Sequence, residues 1–557
     1  MRLPILFSYS KVSALATAMA ALTLLIGCGS RSVVDKSPEV PEDLIAMVSL
    51  RNPKDFFSDI STVIRRTDPT GMAVNQLGGM LEGYGYPLFP AFDPVQRMGV
   101  FALTPPDDSD EPEWFVMAML TPDAPIIQNM REMGATVLRM GTWTVAAESE
   151  AVLERIENIY TFAELLETHP DEDMTVRMFP KVLRQFESKI RQQAREQLAG
   201  FTGVDANRWM PYLDWALNEV KSLHAFGMGL NLSAESLTLS YAIDAKAGTP
   251  IGDMVKNLPS RHSLELGKFI EAGKMANFVS RNNPNAVRAY IDHLYSSLTT
   301  AASSEDALLI SALWQQMEPV MDSIGPAGFF AIHRLADPMR YTQLSEANID
   351  RERFIAAYEW FYNDAWQLGM NTLAASFGET PMPPMEVELN PEAHTHEGVS
   401  IARVSFTIDT EALDAATTTD LSSLSDDLGH YFAIHRGNYL AASELDALKA
   451  LISAKAQGQA VANNLQGRFQ FAPNDILQGN LDLAAVILQT LNELQENGIP
   501  AEPWLKQLFA DAKLDMLFHG YTKEQSLILE TELPVETIIQ LVTRGFTLFM
   551  MQALGGN

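Results

Sequence analysis

Short apolar runs alternate with helical spacing along the first 250 residues of the chain. The apolar runs predict buried strands at 44–50, 98–103, 114–120 and 142–147. Apolar residues at intervals of three and four predict amphipathic helices at 54–66, 180–199 and 209–223. Two alternating runs predict a β-hairpin over 225–245, with its turn at Ser233 to Ser236. Because regular helices do not separate the strands, the pattern favours an α+β fold over βαβ winding.

Three blocks of the second half are similar to blocks of the first half, in the same order. The similar pairs are 99–103 with 328–332, 145–147 with 440–442, and 235–239 with 525–529. We interpret them as a pseudo-repeat of two related strand–helix units with antiparallel sheets and long amphipathic helices. Chance similarity of short apolar strings is the alternative. The predicted domains are 42–250 and a second, longer one at 260–557.

The second domain is longer because it carries additional helical sequence and a loop. Helical spacing recurs at 285–297, 306–321 and 351–375. Residues 376–398 form a Pro-rich loop in this interpretation. The segment 534–554 is apolar but interrupted by charge, which predicts an amphipathic helix on the body rather than a membrane span.

Residues 1–27 have the pattern of a secretory signal peptide. Arg2 and Lys11 precede an uncharged apolar stretch, 12–26, which is short for a helix that spans a bilayer. The segment ends Leu25-Ile26-Gly27-Cys28, which resembles the lipobox of bacterial lipoproteins. The resemblance implies that the chain is cut before Cys28 and that this residue is acylated on its sulfur and its amino group. Residues 28–41 are then a lipidated, polar tether.

The residues that follow Cys28 extend the resemblance to a location. In Gram-negative lipoproteins an Asp just after the Cys commonly marks retention in the inner membrane, whereas this chain has Gly29 and Ser30. The resemblance therefore implies anchoring in the outer membrane, facing the periplasm. An uncleaved anchor with an incidental cysteine is the alternative. The body begins Pro41-Glu42-Asp43 before a strand, which resembles secreted bacterial proteins of unknown function and implies no site.

Composition and missing motifs narrow the classes of function. The chain has 40 Lys and Arg against 70 Asp and Glu, a net charge of −30, which argues against nucleic acid as a partner. One cysteine excludes an intramolecular disulfide. The motifs GxSxG, GxxxxGK[ST], GxGxxG, HExxH and CxxC do not occur. We therefore predict no catalytic residue and no cofactor, although an enzyme with dispersed catalytic residues stays open.

One set of residues is a candidate metal site. Met382, Met385, His394 and His396 lie in or beside the Pro-rich loop. Thioethers suit Cu(I) and imidazoles suit Cu(II) or Zn(II), so a loop with both is a candidate copper site. An ordinary polar surface loop is the alternative.

Other clusters of ionisable residues are interpreted as structural. The acidic runs 107–113 and 171–173 lack EF-hand spacing and are typical of solvated turns. His430 and His435 are five residues apart, which puts them on opposite faces of a strand rather than in one ligand set.

These features together predict a cell-envelope lipoprotein with a non-enzymatic binding or scaffolding role, held at the membrane through Cys28 and partnered by another envelope protein. Two alternatives stay open. One is a periplasmic carrier or binder of an apolar ligand or lipid, for which 27 Phe and 26 Met supply an adaptable lining. The other is a hydrolase with dispersed catalytic carboxylates.

Overall fold

A computed structural model describes most of the chain from residue 40 onward. The described residues are 40–67, 97–106, 112–121, 124–132, 134–156, 158–167, 172–180, 183–200, 206–233, 235–334, 339–347, 349–361, 385–408, 429–496, 503–510, 512 and 514–540. The predicted signal peptide 1–27, Cys28 and nearly all of the tether 28–41 lie outside these residues. The acidic stretch 107–111 and most of the segment 534–554 lie outside them as well.

The described residues form 18 strands and 13 α-helices. The strands are β1 (Leu44–Arg51), β2 (Arg97–Leu103), β3 (Glu113–Ala118), β4 (Thr136–Met140), β5 (Trp143–Ala147), β6 (Met174–Met178), β7 (Leu223–Leu232), β8 (Ser236–Ala245), β9 (Ala276–Arg281), β10 (Ala327–Arg334), β11 (Arg340–Glu346), β12 (Met385–His396), β13 (Val399–Ile408), β14 (Gly429–Ile434), β15 (Asn438–Ala442), β16 (Asp475–Asp482), β17 (Asp515–Lys523) and β18 (Ser526–Pro534).

The helices surround these strands on both sides. They are α1 (Pro53–Thr67), α2 (Pro125–Glu132), α3 (Glu150–Glu154), α4 (Ile159–Glu167), α5 (Leu183–Gly200), α6 (Ala206–Lys221), α7 (Pro250–Asn257), α8 (Pro284–Ala301), α9 (Ser304–Met321), α10 (Arg351–Trp360), α11 (Leu445–Gln457), α12 (Leu483–Glu496) and α13 (Pro503–Ala510). A 3₁₀ helix spans Glu265–Phe269. Among the described residues, no helix combines the length and the apolar character that crossing a membrane requires.

All 18 strands belong to one sheet. The pairings run in the order β4-β5-β3-β2-β1-β6-β7-β8-β18-β17-β16-β9-β10-β11-β15-β14-β13-β12, and every one of them is antiparallel. Strands β1–β8 lie on one side of this order and β9–β18 on the other, and the two groups meet where the last strand, β18, lies beside β8.

The single sheet overturns the predicted pseudo-repeat of two strand–helix units with separate sheets. The segments 235–239 and 525–529, which sequence comparison assigned to different units, lie in β8 and β18 and are neighbours in the sheet. The two strands pair from Ser526 opposite Asp244 to Pro534 opposite Ser236. A β8 edge left unpaired would expose a row of backbone donors and acceptors, and β18 satisfies them. The sheet therefore continues through both predicted domains, 42–250 and 260–557.

One face of the sheet, which we call the network face, carries two separate apolar cores. Strand register places Met47, Phe101, Phe115 and Val145 on this face under α3 and α4. At the other side of the sheet, Val279, Phe329, Leu344 and Leu440 lie on the same face under α11 and the 3₁₀ helix. Ser149 begins α3 by accepting a hydrogen bond from the backbone of Val152, and Gly458, with φ of 67°, ends α11.

The opposite face is apolar in the middle of the sheet, where α7 packs. Leu527, Ile243 and Phe226 from three adjacent strands contact Val255 of this helix in one cluster. Helix α7 begins cleanly because Thr249 caps it and Pro250 occupies its first turn. At the centre of the sheet, one face therefore packs in an apolar core, whereas the network face carries polar and charged side chains.

Candidate functional site

A row of polar and small residues crosses the middle of the network face. Register places Thr175 of β6, Gly229 of β7, Ser240 of β8, Glu530 of β18 and His519 of β17 directly opposite one another. Their side chains share one face because residues in register across a sheet point to the same side. With the charged residues that contact them, this row forms what we call the central network. Its members are Glu172, Thr175, Arg177, Ser240, Asp244, Asp475, His519, Tyr521, Ser526 and Glu530.

Glu172 lies at the β6 end of the central network. Ser240 donates a hydrogen bond of 2.7 Å and Thr175 one of 2.9 Å to its carboxylate. The carboxyl group occupies the space above Gly229, where a Cβ atom would collide with it. Burial raises the pKa of Glu172, and the nearby Glu530 carboxylate adds to the rise against the opposing effect of the two hydroxyl groups.

A buried ion pair lies one step further along the same face. Arg177 of β6 contacts Asp244 of β8, and the two residues are 3% and 8% exposed. Ser526 of β18 donates a 2.6 Å hydrogen bond to the other carboxylate oxygen of Asp244. The Arg177 guanidinium also lies over the ring of Phe179, 5.5 Å from its centre. The pair is fully desolvated, so each charge depends on its partner.

His519 occupies the β17 side of the central network between two carboxylates. Its Nε2 lies 2.9 Å from Asp475 and its Nδ1 lies 3.7 Å from Glu530. The ring of Tyr521 stacks on the imidazole at 4.5 Å, and its hydroxyl donates a 2.8 Å hydrogen bond to Glu530. Burial alone would lower the pKa of His519, but Asp475 and Glu530 outweigh it and raise the pKa to about 9.

Asp475 is held as an anion by a ring of donors. The backbone N–H of Ala472 donates to it at 2.6 Å and the side-chain amide of Gln478 at 2.8 Å. Burial favours the neutral acid, but His519 and these donors prevail and lower the pKa of Asp475. The side chain of Asp475 is 5% exposed, whereas His519 is 38% and Glu530 24% exposed. The network therefore runs from a buried interior to a surface that solvent reaches.

The hydroxyl groups and carboxylates of this arrangement are engaged with one another. Among its four carboxylates, the pKa is raised for Glu172 and lowered for Asp475. Its hydroxyl groups at Ser240 and Ser526 donate to carboxylates. Among the described residues, no group of three or more His, Cys, Asp or Glu is placed to hold a metal ion.

The structure describes three of the four predicted copper ligands, Met385, His394 and His396, and places them in β12, at the far end of the strand order from the central network. His394 and His396 lie in β12, so the segment is a strand of a hairpin and not the predicted Pro-rich loop. The ring of His394 lies 5.9 Å from that of Tyr431, whereas His396 contacts the hydroxyl of Ser453 at 2.7 Å. The two imidazoles thus have different neighbours. Met385 begins β12, and Met382 lies outside the described residues, so copper binding stays a prediction.

Two other predictions about ionisable residues have different outcomes. Glu172 and Asp173 were interpreted as a solvated turn, which is wrong: both are half-buried, and Asp173 accepts a 2.8 Å hydrogen bond from the backbone of Leu232. His430 lies in β14, and its interpretation as a structural histidine stays a prediction. It lies 3.0 Å from the hydroxyl of Tyr358, and burial lowers its pKa to about 4.

Sequence reasoning missed the central residues of the network. Arg177, Asp244 and His519 each interrupt a run of strand-forming residues, in Met174–Met178, Ser236–Ala245 and Asp515–Lys523. A charge on the buried side of a strand costs several kcal/mol unless it is paired, so each interruption was a signal for a partner. Asp244, the partner of Arg177, lies 67 residues away in the chain, and Asp475, the partner of His519, lies 44 residues away. Only the register of the strands identifies these partners.

The fold and the network define a protein built on one large antiparallel sheet with a charged centre. Comparison with known proteins found no matching family, no matching curated protein and no matching solved structure. The residues of this chain and their geometry therefore carry the functional argument.

Proposed function

We propose that this chain is a lipid-anchored protein of the bacterial cell envelope, attached through Cys28 to the outer membrane and facing the periplasm. The support is the sequence Leu25-Ile26-Gly27-Cys28 at the end of an uncharged apolar stretch, with Gly29 and Ser30 after it. At about 0.8 kcal/mol per buried CH₂, one acyl chain holds a protein only marginally, and the several chains of a lipidated cysteine hold it stably.

The tether sets how far the body can extend from the membrane. About 16 residues separate Cys28 from Leu44, where β1 begins, and a fully extended chain of that length spans at most ~55 Å. The folded body would therefore act within one molecular diameter or so of the lipid surface. This proximity suits a protein that binds or scaffolds another envelope component.

The central network is the part of the body that best fits a binding role. Glu530 and His519 are partly exposed; the buried Asp475 contacts His519, and His519 and Tyr521 contact Glu530. Polar groups that are already oriented lose little conformational entropy when a polar partner contacts them. We propose that the body binds a polar or charged partner rather than catalysing a reaction, and the fixed, partly exposed charges of the central network are the observation that carries this proposal.

The anchoring half of the proposal is tested by replacing Cys28. We expect the natural chain to fractionate with outer membranes and to carry an acylated N-terminal cysteine by mass spectrometry. Cys28→Ser should abolish acylation and cleavage, while Ser37→Ala in the tether should change neither. Membrane association and processing that persist in Cys28→Ser would overturn the lipoprotein assignment.

The binding half is tested in intact cells with a photo-crosslinking side chain. At Gln470, an exposed residue whose carbonyl oxygen accepts a hydrogen bond from Gln478 of the network strand β16, it should yield a discrete crosslinked species. At Glu352, an exposed residue of α10, it should not. The same species from both positions, or none from either, would contradict a partner at the central network.

A further inference from the structure

The first eight strands and the last ten strands meet at one seam in the sheet. Strands β1–β8 and strands β9–β18 are joined by the pairing of β8 with β18, and no other strand pairing joins them within the described part of the chain. The seam has nine residue pairs, from Ser526 opposite Asp244 to Pro534 opposite Ser236. Anything that changes the energy of this pairing changes how firmly the two parts of the sheet are held together.

The central network crosses this seam at two points. At one of them, Ser526 of β18 donates to Asp244 of β8, which in turn holds Arg177 of β6. At the other, Glu530 of β18 lies opposite Ser240 of β8, and the hydroxyl of Ser240 holds Glu172. Because β17 contacts β18 through His519 and Glu530, a charge on the imidazole acts on groups on both sides of the seam.

We propose that His519, Glu530 and Glu172 form a proton-controlled latch across the β8–β18 seam, closed while His519 carries its proton and loosened when the proton is lost. The protonated imidazole lies between the carboxylates of Asp475 and Glu530 and offsets their charge. Without that proton, Glu530 and Glu172 repel each other across the seam, and no positive charge remains between Glu530 and Asp475.

Other charged groups surround His519, and one of them, Arg281, also interacts electrostatically with Asp475. Arg177 is committed to Asp244 in a buried pair, and Arg281 of β9 donates to the backbone oxygen of Ala472. Other titratable or charged residues on this face lie on β17 and on the strands beside it. They include Tyr521 and Lys523 on β17, Asp475 on β16, Glu530 and Glu532 on β18 and, one strand further, Asp244 on β8.

The direction of the pH effect follows from the folded and unfolded states. The pKa of His519 is about 9 in the folded protein against about 6.5 in an unfolded chain, so its contribution is complete below pH 6.5 and is lost as the pH rises through 9. The raised pKa of Glu172 acts in the same direction, because the folded state again favours the protonated form. The lowered pKa of Asp475 keeps the latch charged down to acid pH. The latch should therefore loosen on the alkaline side.

Hydrogen exchange of the purified mature protein tests the latch strand by strand. Protection factors, corrected for the intrinsic rate at each pH, are measured by mass spectrometry at pH 6.5, 8 and 9.5. In the natural chain we expect the protection of β8, β17 and β18 to fall about fivefold between pH 6.5 and 9.5, because His519 is partly exposed and solvent screens its charge. Protection of β2 and β3, far from the seam, should stay constant.

Three variants decide whether the proton on His519 is responsible. His519→Gln should give low protection of the seam that no longer depends on pH, and His519→Lys, charged up to pH 10, should keep the seam protected throughout. His262→Gln removes a histidine that pairs with Glu346 elsewhere in the sheet and should behave like the natural chain. An unchanged pH response in His519→Gln or His519→Lys, or an equal loss of protection in β2 and β3, would overturn the latch.

Discussion

The flank and the centre of the network face bury side chains of opposite character: the flank buries aromatic rings, and the centre buries charged groups. Under α3 and α4, Phe101 stacks on Phe115 at 4.8 Å, and Phe162 meets the edge of both rings at 5.1 Å. In the centre, Arg177 and Asp244 are nearly as well buried but are charged. Burying an apolar side chain stabilises the folded state beside almost any apolar neighbour, whereas a buried charge is tolerated only beside a specific partner.

The difference indicates what each region contributes. Replacing a buried ion pair with apolar residues is often neutral or stabilising. Stability alone therefore does not explain why the centre of this sheet is charged. We therefore expect the flanks to contribute more to the free energy of unfolding than the central ion pair does, and the centre to contribute specificity of strand pairing and, through the proposed latch, sensitivity to protons. The predictions below test this division, from the largest expected effect to the smallest.

The apolar flank should show the largest loss on truncation. Phe101→Ala removes a ring that contacts two other aromatic rings in a fully buried cluster. We expect a loss of ~3–5 kcal/mol in the free energy of unfolding, measured by urea titration. Trp114→Ala, on the opposite face and 43% exposed, is the matched control and should cost far less. Equal losses would contradict the assignment of the flank as a main core.

Removing Arg177 from the central ion pair should lower the free energy of unfolding nearly as much as Phe101→Ala does. The reason is different, because the charge of Asp244 stays buried after Arg177 is removed. Arg177→Met leaves the carboxylate of Asp244 buried without the guanidinium of Arg177, while Ser526 still donates to it, and we expect a loss of about 3 kcal/mol. The double variant Arg177→Met with Asp244→Leu removes both charges and should recover most of that loss. A double variant as unstable as the single one would show that the pair itself, rather than an orphaned charge, sets the stability.

Filling the space above Gly229 should have an intermediate effect. A methyl group there collides with the Glu172 carboxyl and with the Ser240 hydroxyl, so Gly229→Ala must displace Glu172 from its two donors. We expect a loss of about 2 kcal/mol by urea titration. Gly227→Ala, which meets only Ala242 at 3.3 Å, is the control and should cost less. The reverse ranking would place Glu172 outside the structural centre.

The smallest effect should be the pH dependence of global stability. His519 is more than one third exposed, so solvent screening reduces its contribution to about 1 kcal/mol, lost between pH 6.5 and 9. His519→Gln should abolish that alkaline loss when urea midpoints are compared across this range. An identical alkaline loss in the variant would assign the pH dependence to other groups.

Local structure was largely predictable because it depends on neighbouring residues. The strand predicted at 44–50 is β1 (Leu44–Arg51), and the hairpin predicted over 225–245 is formed by β7 and β8. The helix predicted at 180–199 is α5 (Leu183–Gly200). Each follows from the spacing of apolar residues and from turn residues such as Ser233, whose hydroxyl contacts the backbone of Ser236.

The central network was not predictable in the same way. Glu172 belongs to an acidic run that looks solvated, and nothing near it in the chain indicates Ser240, which donates to it from 68 residues away. The distance in sequence between Asp244 and Ser526 is larger still, at 282 residues. A pairing partner is chosen by register across the whole sheet, and a pattern read over a dozen residues does not contain it.

The sequence by itself determined the type and approximate position of elements such as β1, the β7–β8 hairpin and α5, the strongly acidic balance of the chain, and the lipobox-like ending at Cys28. Each of these depends on residues within one turn, one strand or one short segment. Only the tertiary structure decided that 18 strands form one sheet and that β18 joins β8, which overturned the expectation of two separate units. That pairing brings His519, Glu530 and Glu172 onto one face, because strand edges are satisfied by whichever backbone the fold brings alongside them.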